Sequence, residues 1–229
     1  MRSDDNVGAG DNRERVRPTI AAAEFIRKYL PLAPAPGVPE VRLRQATPSS
    51  GLWRLAEADP DGFGSPYWAY PWAGGLALAR YLLDRRETVR GRRVLDLGAG
   101  GGVVAIAAAL AGAREVIAAE VDPYALAALE LNVQANGVLV STVLGDVTAG
   151  PPPAVDLILA GDVFYEEGLA QRVTAFLDRC LGAGLEVLIG DPGRAFLPDE
   201  RLVVLAEYPT PDFGEIGRGR VFALSPGGS

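Results

Sequence analysis

The chain has 229 residues, of which 48% are hydrophobic and 22% charged, a length that suits one α/β core rather than two domains of ordinary size. No apolar run approaches the roughly 18 residues that a membrane-spanning helix needs, so we expect no membrane partner. The net charge of −7 disfavours nucleic acid as a partner, because proteins usually bind its phosphates through a basic patch.

Histidine is absent from the chain, and cysteine occurs once, at Cys180. The usual general base and the commonest metal ligand are therefore missing, and no intramolecular disulfide can form. We expect a reducing compartment and no bound metal.

The N-terminal residues predict a tail followed by a short helix. Residues 1–16 mix both signs of charge with almost no apolar side chain, which is typical of a disordered tail. Neither a secretory signal nor a transit peptide fits them, and the cytoplasm is therefore the expected location. Thr19 is a candidate cap for a helix that ends before Pro31, and the prolines of residues 31–39 indicate a stiff connection.

From residue 93 onward, apolar runs alternate with segments of helical pattern. Five runs are predicted to be buried strands, at residues 93–97, 115–120, 138–144, 156–162 and 185–191. Helices are predicted at residues 76–86, 103–112, 123–137 and 166–182. This alternation indicates βαβ units and a parallel sheet with helices on both faces.

The last two apolar runs, 202–208 and 219–224, have only a Pro/Gly-rich loop between them. Such a loop is too short for a helical crossover, so we expect the two strands to pair antiparallel at the sheet edge. We expect residues 17–229 to form a single domain, with an N-terminal helical extension at 17–90 and a cofactor-binding core at 91–229.

The segment VLDLGAGGG at 94–102 places a glycine turn between a strand and a helix. Glycines let backbone N–H groups and a helix N-terminus approach an anionic ligand. Gly100, Gly102 and Ala105 also fit the dinucleotide-binding spacing, so a dehydrogenase or a purely structural turn are alternatives. Asp96, which precedes Gly98 where the nicotinamide fingerprint is usually apolar, favours a methyltransferase, as does the long segment before this strand.

Acidic residues follow the second and third predicted strands. Glu120 stands where a carboxylate can accept hydrogen bonds from both ribose hydroxyls of a nucleoside, and a solvated carboxylate without a ligand is the alternative. Asp122 is better suited to cap the next helix, with Pro123 in the first helical position. Asp146 is placed to accept a hydrogen bond from an adenine amino group, and a simple Gly-Asp turn is the alternative.

The fourth and fifth strands end in GDVFYEE and GDPGR, at the edge where open α/β sheets bind their ligands. Asp162 and Tyr165 are the candidate catalytic residues there, with a helix cap and a core aromatic as the alternative. Asp191 and Arg194 are directed at the same edge.

An aromatic cluster at residues 66–75 contains Tyr67, Trp68, Tyr70 and Trp72. Core packing explains such a cluster as well as a ligand site does. The alternative is that Trp72, close to Gly74, forms one wall of an adenosine pocket.

Five segments, at residues 39–48, 65–84, 94–102, 161–167 and 190–194, occur in the order found in one enzyme family. The chain resembles the electron transfer flavoprotein β-subunit lysine methyltransferases, within the seven-strand protein lysine methyltransferases, over about residues 20–224. The most specific features are PYW followed by WAGG, D-x-F-Y and GDPGR. The order Pro71, Trp72, Ala73 departs from the family pattern, in which proline follows the tryptophan.

The resemblance implies a doubly wound, seven-strand Rossmann-like methyltransferase sheet, mostly parallel with an antiparallel C-terminal edge strand. It implies S-adenosylmethionine as cofactor and the electron transfer flavoprotein β subunit as protein substrate. Asp162 and Tyr165 would meet the target lysine, with Asp191 and Arg194 as further substrate-binding residues. The cofactor would be held by Trp72, Gly74, Asp96, Gly98, Gly100, Glu120 and Asp146.

Two other functions stay open at the level of the sequence. A methyltransferase of ribosomal protein L11, or of a small nitrogen heterocycle such as nicotinamide, would share the cofactor half of the site. The L11 enzymes carry N-P-P-Y after the fourth strand, where this chain has GDVF. A noncatalytic or redox nucleotide-binding module would use the same glycine turn.

Overall fold

Nine strands and six α-helices form the regular structure of residues 12–212 and 215–226, the part of the chain that the computed structural model describes. The strands are β1 (Leu32–Ala35), β2 (Val38–Arg44), β3 (Arg93–Leu97), β4 (Glu115–Glu120), β5 (Ser141–Leu144), β6 (Leu157–Gly161), β7 (Glu186–Asp191), β8 (Leu202–Asp212) and β9 (Glu215–Leu224). The helices are α1 (Asn12–Tyr29), α2 (Trp53–Ala58), α3 (Ala73–Asp84), α4 (Val103–Leu110), α5 (Pro123–Asn136) and α6 (Glu167–Gly182). Among the described residues, no helix is long and apolar enough to cross a membrane.

Seven of the strands form one sheet in the spatial order β5-β4-β3-β6-β7-β9-β8. The five strands from β3 to β7 pair in parallel, whereas β9 runs antiparallel to both of its neighbours. The predicted mostly parallel sheet with antiparallel C-terminal pairing is confirmed. The strand of opposite direction is β9, which lies one place inside the edge strand β8.

Four predicted boundaries are wrong, two by three residues and two by four. Strand β8 ends at Asp212 rather than at residue 208, and β9 begins at Glu215 rather than at residue 219, so the two strands extend across most of the predicted loop. The third strand begins at Ser141 rather than at residue 138, because residues 138–140 carry the chain from the end of α5 back to the sheet. Helix α3 begins at Ala73 rather than at residue 76, because the amide of Gly75 in its first turn finds an acceptor in the Asp162 carboxylate.

The N-terminal segment differs from its prediction in two respects. Helix α1 begins at Asn12, so Thr19 lies inside the helix and is not its cap; residues 1–11 of the predicted tail lie outside the described residues. The proline-rich stretch forms the β1–β2 hairpin, which turns at Gly37 with a φ of 71°, rather than a stiff connection. A two-stranded hairpin has free edges that tolerate proline. The division into a tail and one domain stays a prediction.

The residues of β6 alternate between two apolar clusters on opposite faces of the sheet. Leu157 and Leu159 pack in the cluster that includes residues of α3 and α4. Ile158 and Ala160 pack with Phe176 and its neighbours on α6. The sheet core is therefore buried on both sides, as βαβ units require.

Strand β5 departs from the expectation that helices cover both faces. Its side chains are largely exposed, with Val143 at 39% and Leu144 at 47%. The segment between β5 and β6 forms a single short turn of 3-10 helix, because three consecutive prolines at residues 151–153 disfavour an α-helix there. Helices α3 to α6 therefore cover the central strands, where the site lies, while the side chains of the edge strand β5 remain largely exposed to solvent.

Helix α3 packs unusually close to β7 because glycine faces glycine. A Cβ atom on Gly190 would overlap the carbonyl oxygen of Gly74 and lie 2.8 Å from the Cβ of Leu78. Both residues therefore have to be glycine for the helix to approach the strand to backbone contact.

We predict that Gly190→Ala lowers the free energy of unfolding by about 1–3 kcal/mol or more, since the added methyl group has no space. Denaturant titration measures the change. Gly182→Ala is the matched control, because a Cβ there meets nothing within 4 Å, and it should leave stability unchanged or slightly raised. Equal stability of the two variants would contradict the close contact.

Candidate active site

A cavity of about 770 Å³ opens at the carboxyl ends of the parallel strands. It lies where the chain order reverses, since β4 and β5 follow on one side of β3 while β6 and β7 lie on the other. Such switch points are where open α/β sheets bind their ligands. The predicted site residues that line this cavity are Trp72, Asp96, Gly98, Gly100, Glu120, Asp146, Asp162, Tyr165 and Arg194.

The glycine turn after β3 has a backbone that side chains disfavour. Gly98, Gly100 and Gly102 have φ values of 68°, 52° and 89°, in the left-handed region that glycine tolerates. A Cβ on Gly101 would lie 2.9 Å from the carbonyl oxygen of Trp68. The turn therefore needs glycine both for its conformation and for the close approach of its neighbours.

Asp96 joins the end of β3 to the start of α4. Its side chain is buried, and Oδ2 accepts the backbone N–H of Ala105 at 2.9 Å. Burial raises the pKa of Asp96 to about 7, the charge of Glu120 adds to this effect, and the Ala105 hydrogen bond opposes it. The carboxyl group thus holds the helix terminus while facing the cavity.

Glu120 is held in place by three backbone amides. Oε2 accepts from Gly100 at 2.8 Å, and Oε1 accepts from Val121 at 2.7 Å and from Asp122 at 3.1 Å. The next carboxylate, of Asp122, caps α5 by accepting the N–H of Tyr124 at 2.8 Å, ahead of a helix that begins with proline. The prediction that Asp122 serves as a helix cap is confirmed.

Asp146 both forms a turn and lines the cavity. Its Oδ1 accepts the N–H of Thr148 at 2.8 Å, and the Thr148 hydroxyl lowers the pKa of the carboxyl group. The two interpretations of this residue from the sequence, a Gly-Asp turn and a ligand contact, are therefore compatible in space.

Asp162 is the one non-glycine residue with positive φ in the described ranges 12–212 and 215–226, at 57°. Such a conformation is uncommon outside glycine and costs backbone strain, although aspartate tolerates it better than most residues. Oδ2 accepts the N–H of Gly75 at 2.7 Å, and Oδ1 accepts Nη2 and Nε of Arg194 at 2.6 and 3.1 Å. Burial raises the pKa of Asp162 to about 6, against the lowering effects of Arg194 and Gly75.

The aromatic cluster divides between rim and core. Tyr165, 47% exposed, lies 5.4 Å from Tyr67 between ring centroids, and Tyr67 lies 5.7 Å from Trp72. The Trp72 indole donates from Nε1 to the carbonyl oxygen of Tyr67 at 2.8 Å. Trp68, by contrast, is buried against α1 and α5. Tyr67, Trp72 and Tyr165 therefore form an aromatic rim beside Asp162.

Two of the predicted site residues lie behind the cavity wall. Asp191 is fully buried, and its Oδ1 accepts the N–H groups of Gly193 and Arg194, both at 2.7 Å. Gly74 is in backbone contact with Gly190. The structure thus gives Asp191 a supporting position and Gly74 a packing position, in place of the direct ligand contacts expected from the sequence.

Sequence reasoning missed Asn132, a buried residue on α5. Its Nδ2 donates to the carbonyl oxygen of Gly101 at 2.8 Å, and its Oδ1 accepts the N–H of Arg44 at 2.8 Å. Asn132 therefore braces the glycine turn against the β1–β2 hairpin. Its position as a polar residue on an otherwise apolar helix face was the available signal.

A second missed contact holds the segment 59–65, of which Gly62, Gly64 and Ser65 line the cavity. The Tyr124 hydroxyl donates to Oδ2 of Asp59 at 2.7 Å, and the rings of Phe63 and Tyr124 meet edge to face with centroids 5.0 Å apart. Oδ1 of Asp59 accepts the N–H of Gly62 at 3.0 Å. No local pattern in the sequence joins Asp59 to Tyr124.

We predict that Asp96 makes the chain less stable as pH rises from about 4 to about 7. The folded state binds this proton more tightly than the unfolded state, whose carboxyl group has the ordinary pKa of 3.8, so ionisation in this range costs stability. Asp96→Asn keeps an acceptor for Ala105 and lacks the titration. The difference in free energy of unfolding, variant minus unaltered chain, should therefore increase by on the order of a few kcal/mol between about pH 4 and about pH 7.

Chemical denaturation at a series of pH values measures this difference. Asp146→Asn is the control: because its pKa is lowered from the ordinary value of 3.8, Asp146 is ionised in the folded and the unfolded chain from about pH 5 upward, and over that part of the range its variant should differ from the unaltered chain by a constant amount. A constant difference for Asp96→Asn as well would contradict the raised pKa.

Comparison with known proteins shows which folds and families the chain is similar to. The ribosomal protein L11 methyltransferase family matches residues 77–162, from α3 to the end of β6. Solved structures with the same fold include a Pyrococcus horikoshii protein described as an RNA methyltransferase, 23% identical with a TM-score of 0.54 over 76% of this chain and 98% of that one. Another is the Thermus thermophilus 16S rRNA N2 G1207 methyltransferase, solved with AdoMet and guanosine, 25% identical with a TM-score of 0.50 over 68% of this chain and 43% of that one.

Similarity to curated proteins extends over most of the chain. The electron transfer flavoprotein beta subunit lysine methyltransferase of Rattus norvegicus is 43% identical over 76% of this chain and 70% of the relative. The Xenopus laevis enzyme of the same name is 42% identical over 82% and 78%, and the Caenorhabditis elegans homolog is 30% identical over 78% and 80%. The chain is therefore a methyltransferase that belongs to the family of the electron transfer flavoprotein beta subunit lysine methyltransferases.

Proposed function

We propose that the chain transfers a methyl group from S-adenosylmethionine to a lysine side chain of the electron transfer flavoprotein β subunit. The observation that carries the proposal is the buried Asp162 carboxylate, which faces a cavity shared with the glycine turn and flanked by an aromatic rim. The names of the relatives support the substrate. The cytoplasmic location expected from the sequence stays a prediction.

The residues of the glycine turn fit the cofactor. A Cβ on Gly98 meets one protein atom within 4 Å, the Cγ1 of Val163 at 3.2 Å, and Gly98 lines the cavity, so a side chain there would occupy ligand space. Glu120, fixed by three amides, is oriented to accept hydrogen bonds from ribose hydroxyls. We assign Asp146 to the adenine amino group and Trp72 to the wall beside it.

The reaction requires a neutral amine. At pH 7 a free lysine with pKa about 10.4 is deprotonated roughly once in 2,500 molecules, a cost of about 4.6 kcal/mol. The amine lone pair forms the N–C bond, and the C–S bond breaks with its electron pair moving to sulfur. The chain has no histidine to act as a general base, and we assign loss of the lysine proton to water before the methyl transfer.

The protein supplies position rather than covalent chemistry. Asp162 captures and aims the lysine at the end of β6, and Tyr165 holds the nitrogen lone pair in line. Asp191 fixes the turn that carries Arg194. S-adenosylmethionine contributes a methyl group on a cationic sulfur, whose charge also favours the neutral amine.

We predict different effects for Glu120 and Asp162. Glu120→Ala should weaken S-adenosylmethionine binding by about 1.5–3 kcal/mol, the range for a hydrogen bond to a charged group. Asp162→Asn keeps an acceptor for Gly75 and the unusual backbone conformation. It should leave cofactor affinity within a factor of a few and lower methyl transfer by orders of magnitude. Calorimetry and a methyl-transfer assay measure the two quantities, and equal losses of cofactor binding would refute this division of roles.

We predict that the purified chain methylates lysine in the flavoprotein β subunit and leaves ribosomal protein L11 and free nicotinamide unmodified. Exposed Glu166 and Glu167 stand beside Tyr165 and favour a positively charged protein surface. Because salt screens such attraction, the rate at low substrate concentration should fall as ionic strength rises.

Mass spectrometry of each substrate after incubation decides between these possibilities. The β subunit should gain the mass of whole methyl groups on lysine. Labelling of L11 or nicotinamide with an unmodified β subunit would refute the substrate and leave the methyltransferase fold intact.

A further inference from the structure

The Asp162 carboxylate already has a cationic partner within the chain. Both N–H contacts of Arg194 fall on Oδ1, while the Gly75 amide occupies Oδ2. The guanidinium carbon of Arg194 also lies 5.6 Å from the centre of the Trp72 ring. The side chain of Arg194, 21% exposed, is thus held between the carboxylate and the aromatic rim, facing the cavity.

The backbone that carries Arg194 is equally constrained. Oδ1 of the buried Asp191 accepts the amides of both Gly193 and Arg194, and Gly193 has a φ of 103°. A guanidinium on such a turn is a fixed charge in the wall rather than a mobile surface group.

We propose that Arg194 is a positioning residue that neutralises Asp162 and thereby lets the bound lysine amine lose its proton, an inference that rests on the proposed function. Asp162 alone would oppose the reaction, because a carboxylate within about 4–6 Å of an amine favours the ammonium form by about 1–3 pKa units. The adjacent guanidinium cancels that effect while leaving the carboxylate able to orient the amine.

Asp162 and the amine act as a pair that shares one proton, since the two groups are adjacent and the carboxyl group is buried. Burial raises the pKa of Asp162 to about 6 even beside Arg194. The positive charge of Arg194 lowers the pH at which the pair releases its proton to water. Once that proton has left, the amine lone pair is free to form the N–C bond as the C–S bond breaks.

The other charged and titratable groups around Asp162 do not replace Arg194. Those facing the cavity or packed behind it are Asp96 on β3, Glu120 on β4, Asp122, Asp146, Asp191 on β7, the phenols of Tyr67, Tyr70 and Tyr165, Arg44 on β2, Arg172 on α6 and Arg220 on β9. Arg44 donates to the carbonyl oxygens of Arg27 and Leu30. The charge of Arg172 contributes to lowering the pKa of Asp146 and opposes the raised pKa of Tyr165. Within the described part of the chain, Arg194 is the cation in contact with Asp162.

The test compares Arg194→Gln with Arg194→Lys in methyl transfer to the flavoprotein β subunit, at saturating S-adenosylmethionine, between about pH 6 and 10. The unaltered chain should show a rate that rises with pH to a plateau. The glutamine variant should rise about 1–3 pH units later, so that its rate is at least about tenfold lower near pH 7 and recovers at high pH. The lysine variant, which keeps the charge, should rise close to the unaltered chain.

A glutamine variant that is slower by one factor at every pH would overturn the proposal, because a merely structural role does not move the profile. Failure of the unaltered chain to methylate lysine would overturn the proposed function together with this inference.

A second readout does not depend on turnover. A peptide bearing 13C-monomethyllysine, bound with S-adenosylhomocysteine, should titrate at a lower pH on the unaltered chain than on Arg194→Gln. Identical midpoints would also overturn the proposal.

Discussion

Four carboxyl groups are buried at one edge of the sheet, and each of them accepts at least one hydrogen bond from a main-chain N–H group. Asp96 accepts from Ala105, Glu120 from the glycine turn and the segment after β4, Asp162 from Gly75 and Asp191 from the turn before Arg194. A buried charge without such partners would be strongly destabilising. These bonds therefore tie the starts of α3 and α4 and two loops to the strand ends, and the cavity is the space that they enclose.

The sequence was informative wherever local pattern and chemistry coincide. The apolar runs predicted the bounds of β3 and β4 to the residue. The glycine turn after Asp96, the position of Glu120 at the end of β4 and the helix cap formed by Asp122 were also predicted correctly, because each is determined by its immediate neighbours in the chain. The resemblance supplied the expected substrate class and the roles proposed for Asp162 and Tyr165, which no periodicity provides.

Residues that depend on distant parts of the chain were predicted less well. Asn132 joins segments separated by 31 and 88 positions, and Tyr124 meets Asp59 across 65. Asp191 was expected at the cavity, yet it is buried, because strand direction predicts which edge a residue reaches but not which side of the wall it faces. The N-terminal prolines were interpreted as a linker because hairpin pairing depends on the partner strand.

The glycine-to-glycine contact between α3 and β7 also determines how the site is ordered. Gly74 on α3 contacts the backbone of Gly190 on β7. Trp72 and Gly75 lie close to Gly74 in the chain, and Asp191 directly follows Gly190. The aromatic wall, the carboxylate of Asp162 and the turn of Arg194 are therefore all positioned by one packing contact of the core. The entropy of ordering these side chains is therefore lost when the chain folds and not when the ligand binds. A site preorganised in this way binds its ligand at a lower conformational cost.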